Sequence, residues 1–243
     1  MEKILQGGRK MKKIKLLLVA AAVAGLVTGC GRSSFEPDQT GISVNKNGSI
    51  VSVIKESLDK NYYNQTELET MIHDTVDLYN TNTGEERVEI DEYQVENGVA
   101  TLKMTYDSGQ DYRDLNQVRF FQGDLAGIQG TEYQVQGTFF EIDNGTVTGK
   151  TVDASGVLSG SNHNIIVLEE EILVQVPGDI LYVSSNVEVI GDKEAKAGGE
   201  FTQTTEDQIE TDVSGIPVIN PEEVEETESQ IQGSHELFYI IYE

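Results

Sequence analysis

Residues 165–176 read IIVLEEEILVQV, a run rich in the branched apolar side chains that fit a pleated, buried surface. The run lies within a longer stretch of strand signals. Residues 139–143 and 146–152 flank Asn144-Gly145, the Pro177-Gly178 turn leads into residues 180–184, and residues 186–190 follow. Turn signals recurring every 8–12 residues or so predict a small antiparallel sheet or sandwich in this part of the chain.

Upstream, residues 42–45 and 49–54 flank Asn47-Gly48, a pair suited to the positive φ angles of a tight hairpin. Thr66 and Glu69 form a capping box, and Leu68, Met71, Ile72, Val76 and Tyr79 then recur as one stripe of an amphipathic helix over residues 65–80. Residues 87–96 and 99–106 flank Asn97-Gly98 as a second hairpin. Tyr112, Leu115, Val118 and Phe121 predict a second, shorter helix ending before Gly123. The expected fold is therefore α+β: an N-terminal hairpin-helix-hairpin-helix (ββαββα) unit over residues 41–130, followed by a small antiparallel β-rich region over 137–190 plus 235–243. The side chains around the first two Asn-Gly turns match poorly, which argues against an internal duplication.

Between those last two segments, residues 191–234 read as an acidic disordered insertion. From Asp192 to Ser234 there are 12 acids and two bases, too little apolar surface to offset an ordering cost of about 1–2 kcal/mol per residue. The chain then ends in Leu237-Phe238-Tyr239-Ile240-Ile241-Tyr242, six apolar residues expected to return to the sheet as a strand.

The N-terminus carries an address. Lys12, Lys13 and Lys15 form a basic n-region, and Leu16 to Val27 is an apolar run too short for the ~20 residues of a spanning helix. It closes on Val27-Thr28-Gly29-Cys30, which resembles the lipobox of bacterial lipoproteins. That resemblance implies a signal peptide over residues 1–29, a cut after Gly29 and a thioether-linked diacylglycerol on Cys30, the only cysteine of the chain. Met11 is the expected start, since codons for Gln6 to Lys10 can supply a purine-rich ribosome-binding sequence just before it. Residues 30–40, polar apart from Phe35 and containing Pro37, read as a flexible tether.

Further along, Ile42-Ser43-Val44, Asn47-Gly48, Tyr62-Tyr63, Glu67-Leu68, Tyr79-Asn80, Asp111-Tyr112 and Asn116 resemble a group of uncharacterised lipoproteins from clostridial Gram-positive bacteria. The resemblance covers most of residues 30–125. It implies a location on the outer face of the cytoplasmic membrane and brings no activity, cofactor or catalytic residue with it.

Charge narrows the remaining classes. The 243 residues hold 17 Lys and Arg against 42 Asp and Glu, a net of −25 that repels nucleic acid and anionic lipid alike. A membrane attachment must then come through the lipid on Cys30. One cysteine excludes a disulfide framework and Cys-rich metal sites.

Catalytic patterns are weak. SxxK occurs at Ser43/Lys46, Ser52/Lys55 and Ser57/Lys60 without the partner motifs of penicillin-recognising enzymes. His73 falls beside Asp77 on the polar side of the first helix, His163 lies in a polar turn and His235 precedes the last strand, so no histidine pair forms by spacing. Asp143, Asn144 and Asp153 are the candidates for weak calcium binding. No cofactor and no catalytic residue is assigned. The expected function is a non-catalytic binding module of the cell envelope with a protein or envelope-component partner, and the alternative is an envelope hydrolase using carboxylates or a bound metal.

Overall fold

A computed structural model of the chain describes residues 35–58, 60, 64–159, 162–199 and 237–243. Strands β1 (Gly41–Val44) and β2 (Ile50–Ser57) form the first hairpin, closed through Gly48 at φ 88°. Helix α1 (Gln65–Thr83) leads to β3 (Val88–Glu96) and β4 (Val99–Tyr106), and α2 (Gly109–Asn116) to β5 (Phe120–Asp124). Then come β6 (Thr138–Asp143), β7 (Thr146–Asp153), α3 (Ala154–Leu158), β8 (Asn164–Leu168), β9 (Leu173–Gln175), β10 (Ile180–Ser184), β11 (Val187–Gly191), β12 (Glu194–Ala197) and β13 (Phe238–Tyr242).

These strands make two sheets. One has the order β11-β12-β9-β1-β2-β4-β3, antiparallel except for the parallel β1–β9 pair; the other is antiparallel throughout in the order β5-β8-β13-β10-β6-β7. Ile42, Ile50, Met104 and Val174 of the first sheet share one core with Phe120, Ile166, Val183 and Ile240 of the second. The fold is therefore a mostly-β two-sheet sandwich, and the α+β ββαββα expectation is overturned. Strands from both expected regions mix: β9, β11 and β12 complete the sheet begun by β1 to β4, and β5 crosses to pair with β8.

The crossing point is the run at 165–176, which is two strands rather than one. β8 pairs with β13 and β5 in the second sheet, whereas β9 pairs with β1 and β12 in the first. Three acids separate them. Glu169 Oε1 accepts the Arg119 backbone N–H at 2.8 Å, and Glu170 Oε2 accepts the Tyr112 hydroxyl at 2.7 Å. The carboxylates thus satisfy donors at the bend where the sheet ladder is interrupted.

The central strands β8 and β13 of the second sheet are buried on both faces, which explains their continuous apolar sequences. Along β8, Ile166 and Leu168 face the inter-sheet core while Ile165 and Val167 face an outer cluster with Leu125, Ile128 and Tyr133. β13 alternates in the same way. Phe120 and Phe121 also point to opposite layers, so residues 120–124 form a strand where a helix was expected; α2 stops at Asn116 because Gln117 turns left-handed at φ 56°.

The first helix differs in detail. Asn64, rather than Thr66, is its N-cap, accepting from the Thr66 and Glu67 N–H groups, and the helix runs on to Gly84, whose φ of 76° suits glycine. Val76 is buried and Ile72 and Tyr79 pack beside it, but Met71 is exposed. Asn80 ties the helix to β3: Nδ2 donates to the Val88 carbonyl at 2.8 Å, and Oδ1 accepts from the Arg87 and Val88 N–H groups at 2.9 and 3.0 Å. Asn80→Ala strands the buried Val88 N–H, and a loss of about 2 kcal/mol is expected in a denaturant titration with unchanged m-value.

Two further expectations change. Phe35 and Pro37 of the expected tether are buried, with Phe35 packed on Val51, Val53 and Leu173 on the outer face of the first sheet. Residues 194–197, placed in the acidic insertion, form β12, in which Ala195 and Ala197 are fully buried. Residues 200–236, Tyr62-Tyr63, His235, Cys30 and the signal peptide lie outside the described residues.

Candidate functional site

A polar concavity lies over the second sheet, where the chain leaving β5 folds back across its outer face. Leu125, Ile128 and Tyr133 anchor that segment in the outer cluster, and the Tyr133 hydroxyl donates to the Phe120 carbonyl at 3.2 Å. Residues 132–137 then run over the sheet toward β6. Between them and the β10–β11 turn opens a groove of about 600 Å³, lined chiefly by Arg119, Glu132, Gln134, Gln136, Thr138 and Ser185.

Its floor is fixed by hydrogen bonds. Tyr239 donates from its hydroxyl to the Gln134 carbonyl at 2.9 Å, and its N–H donates to Ser184 Oγ at 3.0 Å. Ser184 donates in turn to Asn186 Oδ1 at 2.6 Å, while Asn186 Nδ2 reaches the Leu237 carbonyl at 3.2 Å. Gln136 Nε2 donates to Gln134 Oε1 at 2.6 Å, and the Arg119 guanidinium lies 5.8 Å above the Tyr133 ring. The groove therefore combines a braced base with amide and hydroxyl groups at its rim.

Burial raises the Tyr133 hydroxyl pKa, with the Glu132 carboxylate adding to the shift; burial also raises Tyr239, against a smaller opposing effect of Arg119. Both tyrosines are thus held as protonated donors. The lining contains one cationic and one anionic side chain and neither histidine nor cysteine. Such a surface is suited to hydrogen-bonded recognition of a polar ligand.

The residues singled out from sequence fall elsewhere. His73 and Asp77 line a second cleft of about 440 Å³ between α1 and β3, together with Asn80, Arg87, Glu89 and Asp107. His163 precedes β8, where its carbonyl accepts the Leu125 N–H at 3.0 Å. Ser52 and Lys55 belong to opposite faces of β2, because a spacing of three reverses direction on a strand. That pair cannot act together. Ser43 instead donates to Gln175 Oε1 at 2.8 Å.

The calcium candidates are separated. Asp143 pairs with Thr146 at one end of the β6–β7 hairpin and Asp153 with Thr138 at the other, so the length of β6, roughly 17 Å, lies between them. Asp153 serves as the α3 N-cap, and the Gly156 N–H followed by the Ser155 hydroxyl holds its carboxyl below the ordinary range. Among the described residues, no group of three or more His, Cys, Asp or Glu is placed to hold a metal ion, and no helix is long and apolar enough to cross a membrane.

Sequence reading missed the groove. Its lining comes from residues 119, 132, 134, 136–138, 184–186, 237 and 239, mostly ordinary polar or turn types, and only the fold brings them together. No known protein family, curated protein or solved structure matches the chain.

Proposed function

We propose that this chain is a lipid-anchored binding module of the cell envelope, held on the outer face of the cytoplasmic membrane of a Gram-positive bacterium by diacylglycerol on Cys30. The observation that carries the reading is Val27-Thr28-Gly29-Cys30 at the end of a basic and then apolar leader, with the only cysteine of the chain at the position a lipid would take. The resemblance of residues 30–125 to clostridial lipoproteins points the same way. The groove over the second sheet is the surface assigned to the ligand, because its amides and hydroxyls suit reversible hydrogen bonding.

Expression of the Cys30→Ser variant followed by cell fractionation tests the anchor. A diacylglycerol supplies two chains, enough for firm attachment, so the variant is expected to move almost wholly from the membrane to the soluble or secreted fraction. Retention of the variant in the membrane at the wild-type level refutes the anchor. Crosslinking on intact cells from a photoreactive residue at Gln136, compared with one at Lys150 on the β7 edge, tests the groove: a partner captured equally from both positions argues against it.

A further inference from the structure

We infer that the outer face of the seven-stranded sheet is turned toward the lipid surface, so that the polar groove over the other sheet opens away from the bilayer. The inference rests on the lipid-anchor reading of Cys30 and adds the orientation of the folded body.

The first argument is reach. Phe35 is 5% exposed, seated on Val51, Val53 and Leu173, and its carbonyl accepts from Lys103 Nζ at 3.1 Å. The strap after it is also fixed: Thr40 Oγ1 accepts the Lys55 N–H at 3.0 Å, and the Thr40 carbonyl accepts the Leu173 N–H at 3.2 Å. Five peptide units separate Cys30 from Phe35, and even a fully extended chain spans only about 18 Å over that distance. Were the body inverted, Phe35 would stand above both sheets and the outer cluster, at a height of roughly 25 Å, given about 10 Å per packed layer. The tether is too short for that arrangement.

The second argument is charge. The outward positions of the four central strands β9, β1, β2 and β4 include Val51, Val53, Lys55, Thr101, Lys103 and Leu173, and none of them is Asp or Glu. The nearest exposed acids on the strap are Glu36 and Asp38. Glu89, Glu92 and Glu96 on β3 and Glu188 and Glu194 on β11 and β12 flank this tract on the same face, so it is the centre of the face, where Lys55 and Lys103 sit beside the strap, that can approach anionic headgroups without that repulsion.

The test uses the full-length lipidated protein in phosphatidylglycerol vesicles that carry an acceptor dye on a fraction of their headgroups. The thioether consumes the only native thiol, so Thr101→Cys and Gln129→Cys each give one donor position, the first on the outer face of the first sheet and the second on the loop covering the other sheet. Energy transfer from position 101 is expected to exceed that from 129 by at least about twofold, given a depth difference of roughly 25 Å. Gln94→Cys, opposite Thr101 on β3, repeats the measurement at an exposed site in case the first substitution disturbs folding. Equal transfer, or stronger transfer from 129, in protein that floats with the vesicles overturns the orientation alone. Protein with Cys30 intact that does not float overturns the anchor and the orientation together.

Discussion

Truncation after Gly233 is expected to abolish folding, seen as insoluble protein or the loss of any cooperative thermal transition. The cause is the position of β13 in the middle of its sheet, where it pairs with β8 along all five residues and with β10 on its other side. All five side chains from Phe238 to Tyr242 are buried. At about 1.5–3 kcal/mol for each large side chain, their removal forfeits roughly 8–15 kcal/mol. That is as large as the ~5–15 kcal/mol by which a whole domain is usually stable. The loss also divides the sheet, leaving β8 and β10 with unpaired backbone groups between two hydrophobic layers. A soluble truncated protein with a wild-type melting temperature would show that β13 is peripheral.

The terminal strand was legible because Phe238 to Tyr242 is continuously apolar, and a chain of this acidity has no other place for such a segment than a core. Two hairpins were equally plain: Asn97 and Gly98 sit at φ 52° and 78°, and Asn144 and Gly145 at 48° and 67°, the paired left-handed residues of a two-residue turn. What local pattern could not show was which hairpin joins which sheet. The β1–β9 pair links residues more than 130 positions apart, and its parallel register leaves no turn signal. β12 was hidden for another reason. Its Glu194 and Lys196 matched the charged composition that follows, while the alternation of Ala195 and Ala197 into the core is visible only once Val174 is seen to face them. The groove was illegible in the same sense, since Gln134, Gln136 and Ser185 are the residues any exposed turn would carry.

The acids at the sheet crossing, Glu169 to Glu171, broke the apolar run without a proline or glycine to mark a turn, and they lead to the largest expected effect of a single substitution. Tyr112 is 4% exposed, meets Tyr106 and Phe120 edge-on at 5.2 and 4.9 Å, and donates to Glu170. Tyr112→Ala removes an aromatic side chain from the core, at about 3–5 kcal/mol, and the donor to a largely buried carboxylate, at about 1.5–3 kcal/mol. Tyr112→Phe isolates the second part. Burial raises the Glu170 pKa, the Tyr112 hydrogen bond lowers it, and Glu169 raises it. Because the folded state holds this proton more tightly than the unfolded chain, the linked contribution is fully present below the unfolded-state pKa and is lost as pH rises through the folded one. Without the hydroxyl, the folded pKa moves higher still. The penalty of Tyr112→Phe should therefore be greatest where Glu170 is ionised and shrink on acidification, as the carboxyl takes up its proton. Pairing it with Glu170→Gln, which carries no charge, should remove that pH dependence from the difference between the hydroxyl and phenyl forms. Urea titrations of the four proteins across a series of pH values from acid to alkaline measure this directly, and a Tyr112→Phe penalty that is flat across the series would mean that Glu170 is not the group the hydroxyl stabilises.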